Sequence, residues 1–131
     1  MYMNNKITFI TPPDIFENDT HSILFLHLSE SEQEVVSQWL TKSTFDQDIN
    51  FYVYDTEDNI PWLFYAMSVC QHKYLNLDGK TAVTDALAGY LLGKNDVYYK
   101  TSDSNLISIY SNINNNNVDC VENFLERILI G

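Results

Sequence analysis

Apolar and polar positions along this chain switch repeatedly between a period of two and a period near 3.6, and the switches divide it into strands and helices. Residues 6–10, KITFI, alternate and are rich in β-branched side chains. They predict a first strand, ended by Pro12 and Pro13 because proline cannot continue a ladder. Residues 14–21 read as a loop, and SILFLHL at 22–28 is the near-continuous apolar run of a strand covered on both faces. Ser29 with Glu32, and Ser31 with Glu34, have the spacing at which a hydroxyl and a carboxylate reciprocally satisfy the orphan N–H groups of a helix start. A helix follows, with Val35, Val36, Trp39 and Leu40 on one face, until the polar stretch 41–48 ends it. INFYVYD at 49–55 is the next strand. Pro61, near a first helical position where its missing N–H costs little, opens a helix over 61–72 that is apolar on most sides.

The second half repeats the alternation. KYLNLD at 73–78 predicts a strand, and 80–93 a helix that opens near Asp85 and closes at Gly93. DVYYKTSD at 96–103 predicts a further strand. NLISIYSNI at 105–113 fits either strand or helix, the asparagine run ending at Asn117 reads as a solvated loop tip, and 118–130 closes the chain as an amphipathic helix with Val118, Val121, Leu125 and Ile128 on its apolar stripe. The order β, β-α, β-α, β-α, β, α predicts a single α/β domain: a mostly parallel, doubly wound sheet of about five strands with helices on both faces. In such sheets ligands bind outside the carboxyl ends of the strands.

The 131 residues suit one domain rather than two. Seven basic against 18 acidic residues give a net charge of −11, which argues against non-specific nucleic-acid binding and against attraction to anionic membranes. No stretch has the length to span a bilayer, so the expectation is a cytoplasmic protein. Cys70 and Cys120 lie in apolar helical patterns and suggest buried, reduced thiols rather than a disulfide framework.

The predicted carboxyl ends of three strands present Asp55, Asp78 and Asp103, which could accept hydrogen bonds from sugar hydroxyls or hold a hard cation such as Mg²⁺; aspartate is equally a favoured turn and cap residue. Tyr52, Tyr54, Tyr98 and Tyr99 alternate on two strands, and Tyr54 and Tyr98 could reach that rim to stack on a base, although strand tyrosines usually serve packing. His21, His27 and His72 show no metal-ligand spacing among themselves, and His27 reads as a satisfied core residue. There is no G-x-G-x-x-G or Walker sequence, so NAD and ATP binding by those devices is set aside and no cofactor is assigned; no G-x-S-x-G motif marks a serine nucleophile, and no metal site is assigned.

The Asp78-Gly79 turn, the helix ending in Gly93-Lys94 and the strand VYYKTSD together resemble the core of the nucleoside 2-deoxyribosyltransferase family, with its Rossmann-like fold. ITFITPPDIF is similar to that family's first strand. The resemblance implies a nucleoside ligand and places Asp85 where the family has a nucleophilic glutamate, with Asp78 beside it. Asp85 lacks the family's preceding Gly-Thr pair and is one methylene shorter than glutamate. The same opening stretch, with NLD and VYYKTSD, is also similar to small uncharacterised proteins of T4-like tailed phages, which would place the chain in a host cytoplasm.

Three functional expectations follow. The first is a non-catalytic binding domain that contacts a protein partner or a second copy of itself through the apolar helix bearing Trp62, Phe64 and Met67, with the C-terminal helix. The second is an enzyme acting on an N-glycosidic bond, with Asp85 and Asp78 catalytic and Asp55, Asp103 and Tyr98 binding the ligand. The third is an acidic inhibitor of a host nucleic-acid-binding protein.

Overall fold

The computed structural model describes residues 9–15, 21–41, 49–54, 59–79, 92–94 and 96–129. Five strands form one sheet: β1 (Phe9–Ile10), β2 (His21–Leu26), β3 (Ile49–Tyr54), β4 (His72–Asn76) and β5 (Val97–Lys100). Their spatial order is β1-β3-β2-β4-β5, and every pairing is parallel. Four helices are described: α1 (Glu30–Thr41), α2 (Ile60–Val69), α3 (Ser104–Tyr110) and α4 (Val121–Leu129). The predicted α/β class and parallel sheet are both present.

Strand side chains alternate between faces, and the core divides accordingly. Leu24, Leu26, Tyr52, Tyr54, Leu75, Val97 and Tyr99 cluster with Trp62, Leu63 and Ala66 of α2. Ile23, Phe25, Phe51, Val53 and Tyr74 cluster instead with Val36 of α1 and with Val121, Phe124 and Leu125 of α4. Helix α2 thus packs with one set of strand positions, and α1 and α4 with the alternate set.

Local chemistry explains the boundaries. Ser29 opens α1 through the predicted reciprocal pair: its N–H donates to Glu32 Oε1 at 3.1 Å, and Glu32 N–H donates to Ser29 Oγ at 3.2 Å. Asn59 caps α2 from the left-handed region (φ 60°), a conformation asparagine tolerates, and its side chain accepts from Trp62 N–H. Leu77–Gly79 forms a short 3₁₀ turn after β4, the Asp-Gly turn expected there.

Several assignments change. The helix expected over 61–72 ends at Val69, and Cys70 is an extended cap that leads straight into β4, so His72 opens a strand. His21, read as loop, opens β2. The ambiguous stretch 105–113 resolves mostly as α3, because Asp103, at the end of the expected strand, accepts from Asn105 N–H at 2.9 Å and starts a helix.

The asparagine run is not a solvated tip. It lies along the outer edge of β5: Tyr99 N–H donates to Asn116 O at 3.1 Å, and Val118 N–H to Tyr99 O at 2.9 Å. Side-chain amides add to this, Asn114 Nδ2 reaching Val97 O at 3.0 Å and Asn117 Nδ2 reaching Tyr99 O at 3.4 Å. Asn114 is buried. Asparagine serves here because its amide reproduces the donor and acceptor of a peptide group.

Candidate functional site

The sheet order fixes where a ligand site would lie. From the adjacent pair β2 and β4, the chain leaves β2 for β3 on one side and β4 for β5 on the other, so the connections diverge at their carboxyl ends. His27, Ser29, Glu32, Asn76 and Asp78 gather around these ends.

Glu32 is the centre of one network. Besides capping α1, its carboxylate accepts from Tyr74 Oη at 2.7 Å and from Asn76 Nδ2 across the gap between α1 and β4. Tyr74 is fully buried, and burial followed by the nearby Glu32 charge pushes its phenol far above the ordinary range, so it stays protonated and donates. Asn76 also accepts, its Oδ1 receiving Asp78 N–H at 2.9 Å, which shapes the turn after β4. His27, at the end of β2, has φ 60°, is buried, and sits edge-on to Tyr54 with ring centroids 6.0 Å apart. Its N–H donates to Tyr54 O at 2.8 Å, which ties the ends of β2 and β3 together.

Asp78 is the centre of a second network. Its carboxylate accepts from Ser102 N–H at 2.9 Å, from Ser102 Oγ at 3.0 Å and from Thr101 Oγ1 at 3.4 Å. Lys100 Nζ stands 3.3 Å from Oδ2. The Ser102 backbone N–H, then the Ser102 hydroxyl and Lys100, hold the Asp78 carboxyl below the ordinary aspartate range against a smaller opposing effect of burial. This clasp joins the end of β4 to the end of β5 and explains why β5 stops at Lys100.

The sequence-predicted residues therefore separate. Asp78 lies on the expected rim, turned toward β5. Asp103 caps α3. Tyr98 is half-buried and packs edge-on against Phe124 at 5.3 Å. Tyr54 is fully buried and stacked on Trp62. Asp55 and Asp85 lie outside the described residues. On α2, Trp62 is 4% exposed and its indole N–H donates to Asp14 O at 2.7 Å, so it belongs to the core. Met67 is half-buried against that core, whereas Phe64 is 49% exposed. Ile60, one turn before Phe64, is also exposed.

Sequence reasoning missed Glu32 and Asn76 as network residues, because a capping glutamate gives no sign that it also reaches a neighbouring strand. It missed Phe124, which meets Phe25, Tyr74 and Tyr98 beneath α4. Among the described residues no group of three or more His, Cys, Asp or Glu side chains gathers as a metal-binding cluster, and no helix is long and apolar enough to cross a membrane. No protein-family model, curated protein or solved structure matches the chain.

Proposed function

We infer that this chain is a non-catalytic Rossmann-like binding domain that acts through protein–protein contacts, with a second copy of itself as the partner and the outward side of α2 as the contact. The observation that carries this reading is how the polar groups at the strand ends are spent. Glu32 holds Tyr74, Asn76 and the start of α1, Asp78 holds Ser102, Thr101 and Lys100, and Asp103 holds a helix terminus. A carboxylate that must accept or deliver a proton is served by a raised pKa near the working pH. The lowered pKa of Asp78 suits a structural clasp instead. Outward apolar residues on α2, Ile60 and Phe64, supply the surface that association would cover.

Sedimentation equilibrium over a wide concentration range tests it, comparing the native chain with Phe64→Asp. The expected result is reversible self-association in the native protein and a monomer in the variant, with the same unfolding midpoint for both monomers because Phe64 is half exposed. A native monomer at every concentration would overturn the reading. So would release of base from deoxynucleosides that disappears in Asp85→Ala, which would establish the N-glycosidic alternative in its place.

A further inference from the structure

At the opposite end of the sheet, the amino ends of β2 and β4, two imidazoles meet. The register sets Ile23 of β2 beside His72 of β4. His21, two positions before Ile23, shares its face, so His21 and His72 are diagonal neighbours on the same side of two adjacent parallel strands. Their ring centroids are 5.1 Å apart and their planes differ by 35°. His21 Nε2 and His72 Nδ1 are both buried, and among the described residues neither has a hydrogen-bond partner.

Buried polar atoms are nearly always satisfied, so unsatisfied nitrogens on two neighbouring rings need an explanation. A neutral imidazole carries one lone-pair nitrogen, and it is the commonest protein ligand for late transition ions. We propose that His21 and His72 form a two-imidazole site for a late first-row divalent cation of the Zn²⁺, Ni²⁺ or Cu²⁺ class. Two nitrogens that each bind one ion at about 2.0–2.1 Å stand roughly 3–3.5 Å apart in tetrahedral geometry, a span the ring separation allows. The nitrogen donors favour these ions over Mg²⁺ or Ca²⁺, which take oxygen.

The surroundings suit a cation as well. Burial lowers the pKa of His21. It also lowers that of His72, where His21 acts in the same direction, Asp96 opposes it and Lys73 adds a smaller lowering effect. The net charge of −11 raises the local concentration of cations. Two protein ligands leave the remaining coordination positions to water or a small ligand. The two histidines are 51 residues apart in sequence, so only the pairing of β2 with β4 brings them together.

The chain has three histidines, and His27, at the far end of β2, serves as an internal reference. The experiment follows the imidazole ring signals by NMR at pH 7.5 while Zn²⁺ is added to the full chain. Signals of His21 and His72 should move together and saturate at one equivalent, with those of His27 unmoved. His21→Gln and His72→Gln should each weaken Zn²⁺ binding at least about tenfold, with an unchanged amide spectrum reporting the fold. Acidification to pH 5 should release the ion. The proposal is overturned if Zn²⁺ leaves both signals in place, if it moves His27 equally, or if His21→Gln binds as tightly as the native chain, which would assign binding to thiols or surface carboxylates.

Discussion

The bond from Tyr74 to Glu32 joins a buried strand residue to the first turn of α1, and removing it should cost more than an ordinary surface contact. In Glu32→Ala the fully buried Tyr74 hydroxyl loses its acceptor, which costs about 1–3 kcal/mol. The start of α1 also loses the Ser29 partner and a favourable charge near its N-terminus, about 0.5–1 kcal/mol more. Asn76 keeps the hydrogen bond its Oδ1 accepts from Asp78 N–H. The sum is roughly 2–4 kcal/mol. Tyr74→Phe removes the donor instead of stranding it and should cost about 1 kcal/mol. The double variant is the decisive one. With the orphan hydroxyl gone, Tyr74→Phe introduced into Glu32→Ala should cost nothing or restore stability, giving a coupling of at least about 1 kcal/mol. Urea unfolding of the four proteins, followed by far-UV circular dichroism, measures it, with equal slopes reporting that the denatured states are comparable. Additivity within about 0.5 kcal/mol would refute the reasoning and return Glu32 to the role of a simple cap.

Three further outcomes are expected. Lys73 is buried, 2.7 Å from Asp96 and 3.1 Å from Cys70 O, while the Asp96 side chain is 37% exposed. Asp96→Ala, which strands a buried charge, should therefore cost about 3 kcal/mol in urea unfolding, and Lys73→Met less than about 1 kcal/mol; equal losses would contradict this. Because the folded-state pKa of Asp78 is lowered, its contribution is present above the ordinary value of about 3.9 and is lost as pH falls through the lower folded value. Thermal unfolding of Asp78→Ala should lie below the native protein at pH 6 and converge with it in strong acid. The folded-state pKa values of His21 and His72 are likewise lowered, so with a chelator present the native protein should lose stability as pH falls below about 6.5, and His72→Gln should give a flatter profile between pH 6.5 and 5.

Most of the sheet was legible because its strands are short apolar runs punctuated by cap and turn residues. Ser29 with Glu32, Pro61, and the Asp78-Gly79 turn each announced a boundary that the structure contains. The misreadings share a cause: local pattern cannot report a partner that is distant in sequence. Cys70 and His72 continue a helical apolar pattern, yet Cys70 is extended because its segment must enter β4 beside β2. Asp103 ends a strand-like run but becomes a helix cap once Asp78 takes hold of Ser102 and Thr101. The histidines lack ligand spacing along the chain and acquire proximity only through register. The site was legible as a place, the carboxyl ends of the strands, more than as a set of roles. Asp78 is on that rim, whereas the Glu32 network depends on α1 crossing to β4.

The asparagine run along β5 also governs how this protein can polymerise. An outer strand with free peptide groups is a template on which another chain can add a strand and continue without limit. Here that template is consumed within the molecule: residues 114–118 occupy the outer side of β5 with both peptide and amide groups. Extension of the sheet past β5 is therefore discouraged within the fold itself.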